Sequence, residues 1–440
     1  MHRLIGHAVS RDWLHWEEWP FIELTGAAGA WDSGRIGTGW TWRHRDGRYY
    51  MAYTGRIDPR EDIGLAVSDD LITWSKVSDR PVWPQANQTP YEPRGSVDEL
   101  PPAWRDPFVV EHEDGTYAYA CARSRHGAPS ARGCVARCRI DDLRSWETLA
   151  PTAADTGYAI MEVPELFAFD GMWWLTFNTH SGWGRRLDTS SRRLAGGTFF
   201  LCSDAPDGPW LHPADNLLIG SGEGRRDAVV ARSVLFGGER LVYHHYTGPI
   251  APDSPRALGL PKILRRSGDA IELGPWSGLS RIWRDPVAAG NWEAMTGSIW
   301  CPGRWTGDRE RVTVGSTEGI AGCARRLGVL DVDLEADIRI RGKGRAGLCP
   351  RADPDGTGGP CVLLDSLRNE VTLCSIGRGP YGVLLEQVLD RVHQPVPPGA
   401  TMSLRCLTRD RYVEVFIDGR LVFSTIIDPP SGDSTSLLLV

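Results

Sequence analysis

Hydrophobic and polar residues alternate along most of the chain, in short runs that end at Gly, Asp or Asn. One recurring unit places an Asp-Gly pair before alternating aromatic residues, at 46–50, 114–117, 170–174 and, more loosely, 238–241. Alternation over four to eight residues predicts half-buried strands, and an Asp-Gly pair is typical of a hairpin turn. The pattern therefore predicts an all-β protein.

A second recurring unit is a Gly followed by small and apolar residues in alternation, a polar turn and a Trp. It begins at Gly6, Gly64, Gly133 and Gly197. The Asp-Gly unit returns after 68 and then 56 residues, which leaves room for about four antiparallel strands in each period. Because four antiparallel strands make one propeller blade, we predict a five-bladed β-propeller.

The blades can be placed along the chain. Four first strands are predicted at residues 31–42, 104–113, 161–170 and 227–236, and the last of these blades continues to about residue 284. The first blade is predicted to be incomplete, because only its third and fourth strands are present, at residues 6–20. From about residue 290 the strands become rich in β-branched residues and lose the closing Trp, which predicts a C-terminal β-sandwich. The predicted domains are 1–289 and 290–440.

Composition narrows the possible function classes. The chain has 49 Lys and Arg against 56 Asp and Glu, a net charge of −7, and its basic residues are scattered, so nucleic acid is not an expected partner. No run approaches the roughly 18 apolar residues that span a membrane, and we expect no membrane partner. Residues 1–10 lack the order of a secretory signal, so the chain as given is expected to be cytoplasmic.

Cysteine and tryptophan usage add two expectations. The ten Cys are thinly spread, and Cys134 and Cys138 are one residue too far apart for a C-x-x-C pair. We therefore expect reduced structural thiols, with no metal and no cofactor. Tryptophan is the commonest aromatic, with 19 Trp against 11 Tyr and 10 Phe. Indole faces suit sugar rings, although most indoles pack in cores.

Carboxylates stand at the starts of two predicted first strands, where inner strands converge on a central channel. Asp106 begins one strand, and Glu162 and Glu165 begin the other, on opposite faces if the alternation is regular. Two carboxylates that flank one pocket are what glycoside hydrolysis needs. The alternative is that these carboxylates are structural, because an Asp before Pro often caps a turn. The same alternative applies to Asp32 and Asp227, which stand at the starts of other predicted first strands.

Four segments strengthen the hydrolase interpretation. They read G-H-A-V-S-R-D-W-L-H-W-E-E at 6–18, R-D-P at 105–107, E-V-P-E-L-F at 162–167 and V-E-V-F-I-D-G at 413–419. In order and spacing, over nearly the whole chain, this set resembles glycoside hydrolase family 32, the invertase and fructan hydrolase family. Relatives pair a five-bladed propeller with a C-terminal β-sandwich. The resemblance therefore implies the same fold and a carbohydrate substrate of the β-fructoside class.

The resemblance also implies roles for the matching residues. Asp106 would stabilise the transition state and Glu162 would be the general acid/base, while Arg105 would orient the same sugar ring. Glu165 would take the second acidic position of its motif, in which Val163 replaces the Cys of the family. Three further residues are expected to contact the substrate: Trp31, Thr38 and Trp104.

One departure from the family concerns the nucleophile. In relatives this Asp lies in an N-D-P-N-G motif upstream of G-H-A-x-S, and here five residues precede Gly6. We therefore expect the chain as given to lack its nucleophile and to be inactive or impaired, with roughly 30 further residues encoded upstream to complete the first blade. Such a segment would also be compatible with secretion. Replacement by Asp32 is the alternative, although that residue belongs to another blade.

Two functions are compatible with these observations. The first is a retaining β-fructosidase, for which the sequence does not distinguish hydrolysis from fructosyl transfer or specify the sugar linkage. The second is a propeller and sandwich that bind carbohydrate without catalysis. A protein-interaction platform is disfavoured, because it would place apolar patches rather than Arg and carboxylates at the mouth of the channel.

Overall fold

The computed structural model of the protein describes the following residues: 4–85, 90–93, 100, 103–180, 196–221, 228–246, 258–283, 285–287, 290–296, 300, 303–308, 310–315, 319–353, 358–378, 384–427 and 436–439. They form antiparallel strands almost throughout, together with two short 3-10 helices, Pro129–Ala131 and Ser277–Arg281. The prediction of an all-β protein is confirmed.

The N-terminal part begins with a strand pair and a four-stranded sheet. Strand β1 (Leu4–Val9) pairs with β2 (Glu17–Glu23). The next sheet has the order β3-β4-β5-β6, so that each strand pairs with the one before it in the chain. Its strands are β3 (Arg35–Arg43), β4 (Tyr49–Ile57), β5 (Arg60–Ser68) and β6 (Ser75–Lys76).

Three more four-stranded meanders follow. The first contains β7 (Trp104–His112), β8 (Gly115–Arg123), β9 (Gly133–Asp142) and β10 (Ser145–Thr148). The second contains β11 (Glu162–Phe169), β12 (Met172–Thr179), β13 (Gly196–Ser203) and β14 (Leu217–Ser221). The third contains β15 (Ala228–Phe236), β16 (Glu239–Tyr246), β17 (Lys262–Ser267) and β18 (Ala270–Pro275).

These meanders have the strand order of propeller blades. The four predicted first strands correspond to β3, β7, β11 and β15, and Asp227 lies outside the described residues. Strand β7 lies against both β3 and β11, while β15 lies against β12 and β13. The first strands β3, β7 and β11 of three successive sheets are therefore neighbours, as in an arrangement that lines a central channel. The number of five blades stays a prediction.

The C-terminal part contains two larger sheets and a hairpin. A seven-stranded sheet has the order β19-β22-β31-β24-β25-β26-β27, a four-stranded sheet has the order β23-β28-β29-β30, and β20 pairs with β21. The bounds are β19 (Glu293–Ala294), β20 (Arg304–Gly307), β21 (Val312–Gly315), β22 (Cys323–Arg326), β23 (Val332–Arg339), β24 (Arg345–Ala352), β25 (Pro360–Asp365), β26 (Glu370–Arg378), β27 (Leu384–His393), β28 (Thr401–Arg409), β29 (Tyr412–Ile417), β30 (Arg420–Ile426) and β31 (Ser436–Leu439).

One apolar core joins the two larger sheets. Leu348, Val362 and Leu373 of the seven-stranded sheet pack in the same cluster as Leu404 and Val415 of the four-stranded sheet. Two antiparallel sheets with a shared core are a β-sandwich, as predicted. Strand β18 ends at residue 275 and β19 begins at residue 293. The domain boundary at 289/290 lies between these strands and stays a prediction.

Three further observations concern the sequence expectations. The nine described cysteines are all buried and free, in agreement with structural thiols. Within the described ranges, no His, Cys, Asp and Glu side chains cluster in a way that could hold a metal ion. The same residues form no helix that is long and apolar enough to cross a membrane.

Candidate active site

Strands β7, β11 and β15 each carry a bulge near their first residues, where the antiparallel register shifts. One residue at each bulge has a left-handed backbone: Asp106 (φ 61°), Val163 (φ 49°) and Val230 (φ 55°). Such conformations cost on the order of 1–3 kcal/mol, and β-branched residues rarely adopt them. Bulges turn side chains away from the regular direction, and strained residues cluster at functional sites. This end of the inner strands is therefore the candidate site.

Arg105 connects the acids of this region. Its Nη2 donates to Glu162 Oε1 at 2.8 Å, its Nη1 donates to Glu61 Oε2 at 3.0 Å, and its Nε lies 3.7 Å from Asp106 Oδ2. Burial opposes the charge on this guanidinium, yet the pKa of Arg105 lies well above its usual value because the negative groups around it outweigh that penalty. One arginine therefore holds carboxylates from three strands, β5, β7 and β11, close together.

Asp106 is fixed by hydrogen bonds on both its backbone and its side chain. Its backbone N–H donates to Thr54 Oγ1 at 2.9 Å, and the Thr54 hydroxyl donates to the carbonyl oxygen of Thr38 at 2.9 Å. Its Oδ2 accepts a hydrogen bond from the backbone N–H of Val163 at 3.1 Å. The strained bulges of β7 and β11 are therefore linked to each other, and β4 ties both to β3.

The protonation of Asp106 reflects this enclosure. The residue is 5% exposed, and burial raises the pKa of its carboxyl to about 6, with Glu162 adding to the rise and Arg105 opposing it. The charge of Glu61 acts in the same direction as that of Glu162. Asp106 is therefore ionised at neutral pH but close to its titration range.

We expect Asp106→Asn to stabilise the fold, and the gain should grow with pH. Because folding raises the pKa of Asp106 from 3.8 to about 6, the stability from its protonated form is complete below pH ~4 and is lost as the pH rises through 6. The free energy of unfolding of Asp106→Asn should therefore exceed that of the wild type by roughly 3 kcal/mol at neutral pH. Urea unfolding of both proteins at pH 4, 5, 6 and 7 checks this. An equal stability difference at every pH would contradict it.

Two glutamates of β11 contact different neighbours. Glu162, with 25% of its side chain exposed, reaches back to Arg105 of β7. Glu165 is 3% exposed and accepts hydrogen bonds from the backbone N–H of Ser233 at 2.9 Å and from its hydroxyl at 2.6 Å, on β15. Burial raises the pKa of Glu165, and Arg232 and Ser233 partly offset that rise. Glu162 is thus the accessible acid, while Glu165 joins β11 to β15.

The three other predicted contact residues occupy different environments. Thr38 is exposed at the bulge of β3. Trp104 is 1% exposed, and its indole Nε1 donates to the carbonyl oxygen of Trp83 at 3.1 Å. Trp31 is 8% exposed and stacks on Tyr53 at 5.8 Å between ring centres. The two indoles belong to apolar core clusters, and a sugar contact by any of the three residues stays a prediction.

Asp32, the alternative nucleophile, is enclosed. It is 0% exposed, and its Oδ2 accepts hydrogen bonds from the Tyr53 hydroxyl at 3.0 Å and from Lys76 Nζ at 2.5 Å. An attacking carboxylate must reach the anomeric carbon of a bound sugar. The contacts of Asp32 are those of a buried ion pair that anchors β6.

Two residues of the site were not anticipated from the sequence. Glu61 of β5 is 4% exposed and contacts Arg105. Arg232 of β15 is 5% exposed, lies 5.3 Å from the ring centres of both Trp40 and Phe108, and donates to the carbonyl oxygen of Pro164 at 3.0 Å. Arg232 thereby contacts first strands of three other sheets, and its charge acts on Glu165. Its position in a predicted first strand was the available signal.

The segment that contains these motifs matches the model of a known protein family. Residues 4–199 match the model described as "Glycosyl hydrolases family 32 N-terminal domain". The matched range contains Arg105, Asp106 and Glu162 with their bulges. The resemblance to glycoside hydrolase family 32 that the motifs indicate is therefore confirmed. No curated protein sequence gives a significant match to the chain.

Solved structures share the fold over almost the entire chain. A variant of the Bombyx mori β-fructofuranosidase of family 32, in complex with sucrose, is 19% identical, with a TM-score of 0.66, covering 99% of this chain and 82% of that one. The exo-inulinase from Aspergillus awamori is 17% identical, with a TM-score of 0.66 and coverage of 99% and 86%. A fructan 1-exohydrolase IIa from Cichorium intybus, in complex with 1-kestose, is 16% identical, with a TM-score of 0.64 and coverage of 99% and 87%.

Proposed function

We propose that the protein is a glycoside hydrolase of the β-fructosidase type, which acts on sucrose-like or fructan-like substrates. The observation that carries the proposal is the pair of carboxyls, Asp106 and Glu162, held at the starts of adjacent inner strands by Arg105. Glycoside hydrolysis uses two such groups around one sugar. The family match and the structural relatives that bind sucrose and 1-kestose support this substrate class.

The environments of the two acids suit different roles. Glu162 is the more accessible, so it can reach the glycosidic oxygen and give it a proton as the bond breaks. Asp106 is buried and ionised near neutral pH, so its negative charge can stabilise the positive charge that develops on the sugar ring. Arg105 keeps both carboxylates oriented and can donate to sugar hydroxyls from the same guanidinium.

The attacking group is not supplied by the enclosed acids. Asp32 is paired with Lys76 and Tyr53. Glu61, whose charge acts on Asp106, is held between Arg105 and Arg56. We therefore propose that residues 1–440 by themselves bind fructosides and turn them over at background rate. Binding of carbohydrate without catalysis is the second candidate function.

A binding and turnover experiment tests this proposal. Purified protein is titrated with fructose, sucrose and 1-kestose in a calorimeter, and fructose release from sucrose, inulin and levan is measured in parallel. We expect binding that Arg105→Ala abolishes and that Arg48→Ala, an exposed arginine in a hairpin, leaves unchanged. Failure of all three sugars to bind would refute the substrate class. Robust turnover that is lost on Asp32→Asn would show that Asp32 is the nucleophile.

Azide distinguishes an impaired hydrolase from a binding protein. In a site that lacks only its attacking group, azide can bond to the anomeric carbon of sucrose. As this bond forms at the anomeric carbon of the fructosyl unit, the bond from the same carbon to the leaving-group oxygen breaks, and this oxygen takes its proton from Glu162 to give glucose. We expect glucose release and fructosyl azide formation to rise with azide concentration. Binding of sucrose with no release at any azide concentration would favour the non-catalytic alternative.

A further inference from the structure

Glu61 is a buried acid with no role in the proposed reaction. It is 4% exposed at the start of β5. Its Oε2 accepts hydrogen bonds from Arg105 Nη1 at 3.0 Å and from the backbone N–H of Trp104 at 3.3 Å, and its Oε1 accepts one from Arg56 Nη1 at 3.2 Å. Glu61 therefore binds both the guanidinium of Arg105 and the backbone N–H of Trp104, the residue before Arg105.

The hydrogen bond from Arg105 to Glu61 fixes the orientation of the whole guanidinium. A guanidinium is planar and rigid, so fixing one of its nitrogens fixes the direction of the others. With Nη1 held by Glu61, Nη2 points at Glu162 Oε1 at 2.8 Å, and Nε lies 3.7 Å from Asp106 Oδ2. Without Glu61, nothing among these contacts would stop Arg105 from turning fully toward either reacting acid.

We propose that Glu61 is a positioning residue, which holds Arg105 so that its positive charge is shared between Asp106 and Glu162. The inference rests on the proposed function in that these two acids are the reacting groups. Glu61 does not touch the substrate. It acts through Arg105 by setting the orientation of the guanidinium and by adding a third negative charge to the cluster.

The added charge makes the proposal measurable. The negative charge of Glu61 raises the pKa of Asp106, whereas Arg105 lowers it. Glu61→Gln keeps an oxygen that can accept from Arg105 but removes the charge, so the pKa of Asp106 should fall by roughly one unit. Glu61→Ala removes both the charge and the contact, so the affinity for fructose should fall as well, because Arg105 is then no longer held.

The chain offers a matched control in Glu92. Like Glu61, it is 4% exposed and lies between two arginines, with its Oε2 2.7 Å from Arg123 Nε and its Oε1 3.3 Å from Arg132 Nη1. Its charge is not among the largest influences on the pKa of Asp106, whereas that of Glu61 is. Glu92→Gln therefore disturbs a buried pair of the same kind without changing the charge beside the reacting acids.

The experiment is a titration of the Asp106 carboxyl. The full chain is labelled with ¹³C at Asp side-chain carboxyls, and the Asp106 signal is assigned from its absence in Asp106→Asn. We expect this signal to titrate at lower pH in Glu61→Gln and at the wild-type pH in Glu92→Gln. An unchanged titration in Glu61→Gln, or an equal shift in Glu92→Gln, would overturn the proposal.

A second variant keeps the test decisive if Glu61→Gln does not fold. Glu61→Asp retains the charge but is one carbon too short for the same grip, so we expect weaker fructose binding with little change in the Asp106 titration. Unchanged fructose affinity in Glu61→Asp would contradict the positioning role. Because the titration does not depend on turnover, a wild-type protein that binds no fructoside would refute the proposed function while the effect of Glu61 on Asp106 is still measured.

Discussion

Glu162→Gln is expected to lower the rate of glucose release from sucrose, with azide as the attacking group, by roughly 10²–10⁴-fold. The amide keeps the size of the side chain and an oxygen that can accept from Arg105 Nη2, which lies 2.8 Å from Glu162 Oε1 in the wild-type protein. It cannot give a proton to the leaving oxygen. Glucose release in the wild type and the variant, at equal azide concentration and saturating sucrose, measures the loss.

The choice of leaving group separates proton donation from structural damage. The leaving group of a 4-nitrophenyl fructoside is a stable phenolate that needs no proton, so Glu162→Gln should slow cleavage of this substrate far less than cleavage of sucrose. Glu165→Gln is the matched control on the same strand, because Glu165 contacts Ser233 rather than Arg105. If Glu165→Gln abolished turnover and Glu162→Gln left it intact, the acid would be misassigned.

The strand pattern could be predicted because it depends on local rules. Alternation with a period of two and Asp-Gly turns indicated the first strands, and β3, β7, β11 and β15 lie where these signals placed them. Each hairpin requires only the residues beside it. The bulges that place Asp106 and Val163 at positive φ interrupt this alternation. The sequence contains no separate signal for these bulges, because a bulge depends on the register in which a strand pairs with its partner.

The site was predicted less completely than the fold. Arg105, Asp106 and Glu162 could be named because a motif carries them, and the structure brings them into contact. Glu61 could not be named, because its importance arises from a contact with Arg105 across 44 positions of the chain. Arg232 was missed for the same reason, since its neighbours Trp40 and Phe108 come from other sheets. Contacts between distant segments leave no local periodicity.

Tryptophan content shows a different limit of sequence reasoning. The excess of Trp suggested sugar-stacking surfaces, but Trp83 and Trp104 are 0% and 1% exposed and pack edge to face, with 5.0 Å between their ring centres. Trp174 is also fully buried. An indole offers a large apolar face for filling the wedge between neighbouring sheets. Composition alone does not separate this use from ligand binding.

The sandwich motif at 413–419 has a structural role that its sequence did not reveal. Glu414 of β29 is 1% exposed, and its Oε1 accepts from Lys262 Nζ of β17 at 2.5 Å and from the Tyr246 hydroxyl of β16 at 3.2 Å. The Tyr246 hydroxyl also lies 2.9 Å from Ser424 Oγ of β30. A buried ion pair therefore joins the last blade-like sheet to the sandwich.

Lys262→Met is expected to destabilise the protein by about 3–5 kcal/mol, because it leaves the buried Glu414 carboxylate without its cation. Lys262 is 0% exposed, and burial lowers its pKa while the contact with Glu414 opposes that shift. Urea unfolding at neutral pH, followed by tryptophan fluorescence, measures the loss. Lys76→Met is the comparison, because it removes the cation from another buried acid, Asp32, which precedes β3 of the sheet that contains Lys76.

The double variant Lys262→Met/Glu414→Leu separates the cost of an unpaired charge from the value of the pair. Replacing both members of a buried ion pair with apolar residues is often nearly neutral, whereas breaking it is not. We expect the double variant to regain most of the stability lost in Lys262→Met. If it were as unstable as the single variant, the network through Tyr246 and Ser424 would itself join the sheets. Glu414 would then act mainly as a hydrogen-bond acceptor, and Glu414→Gln should be tolerated.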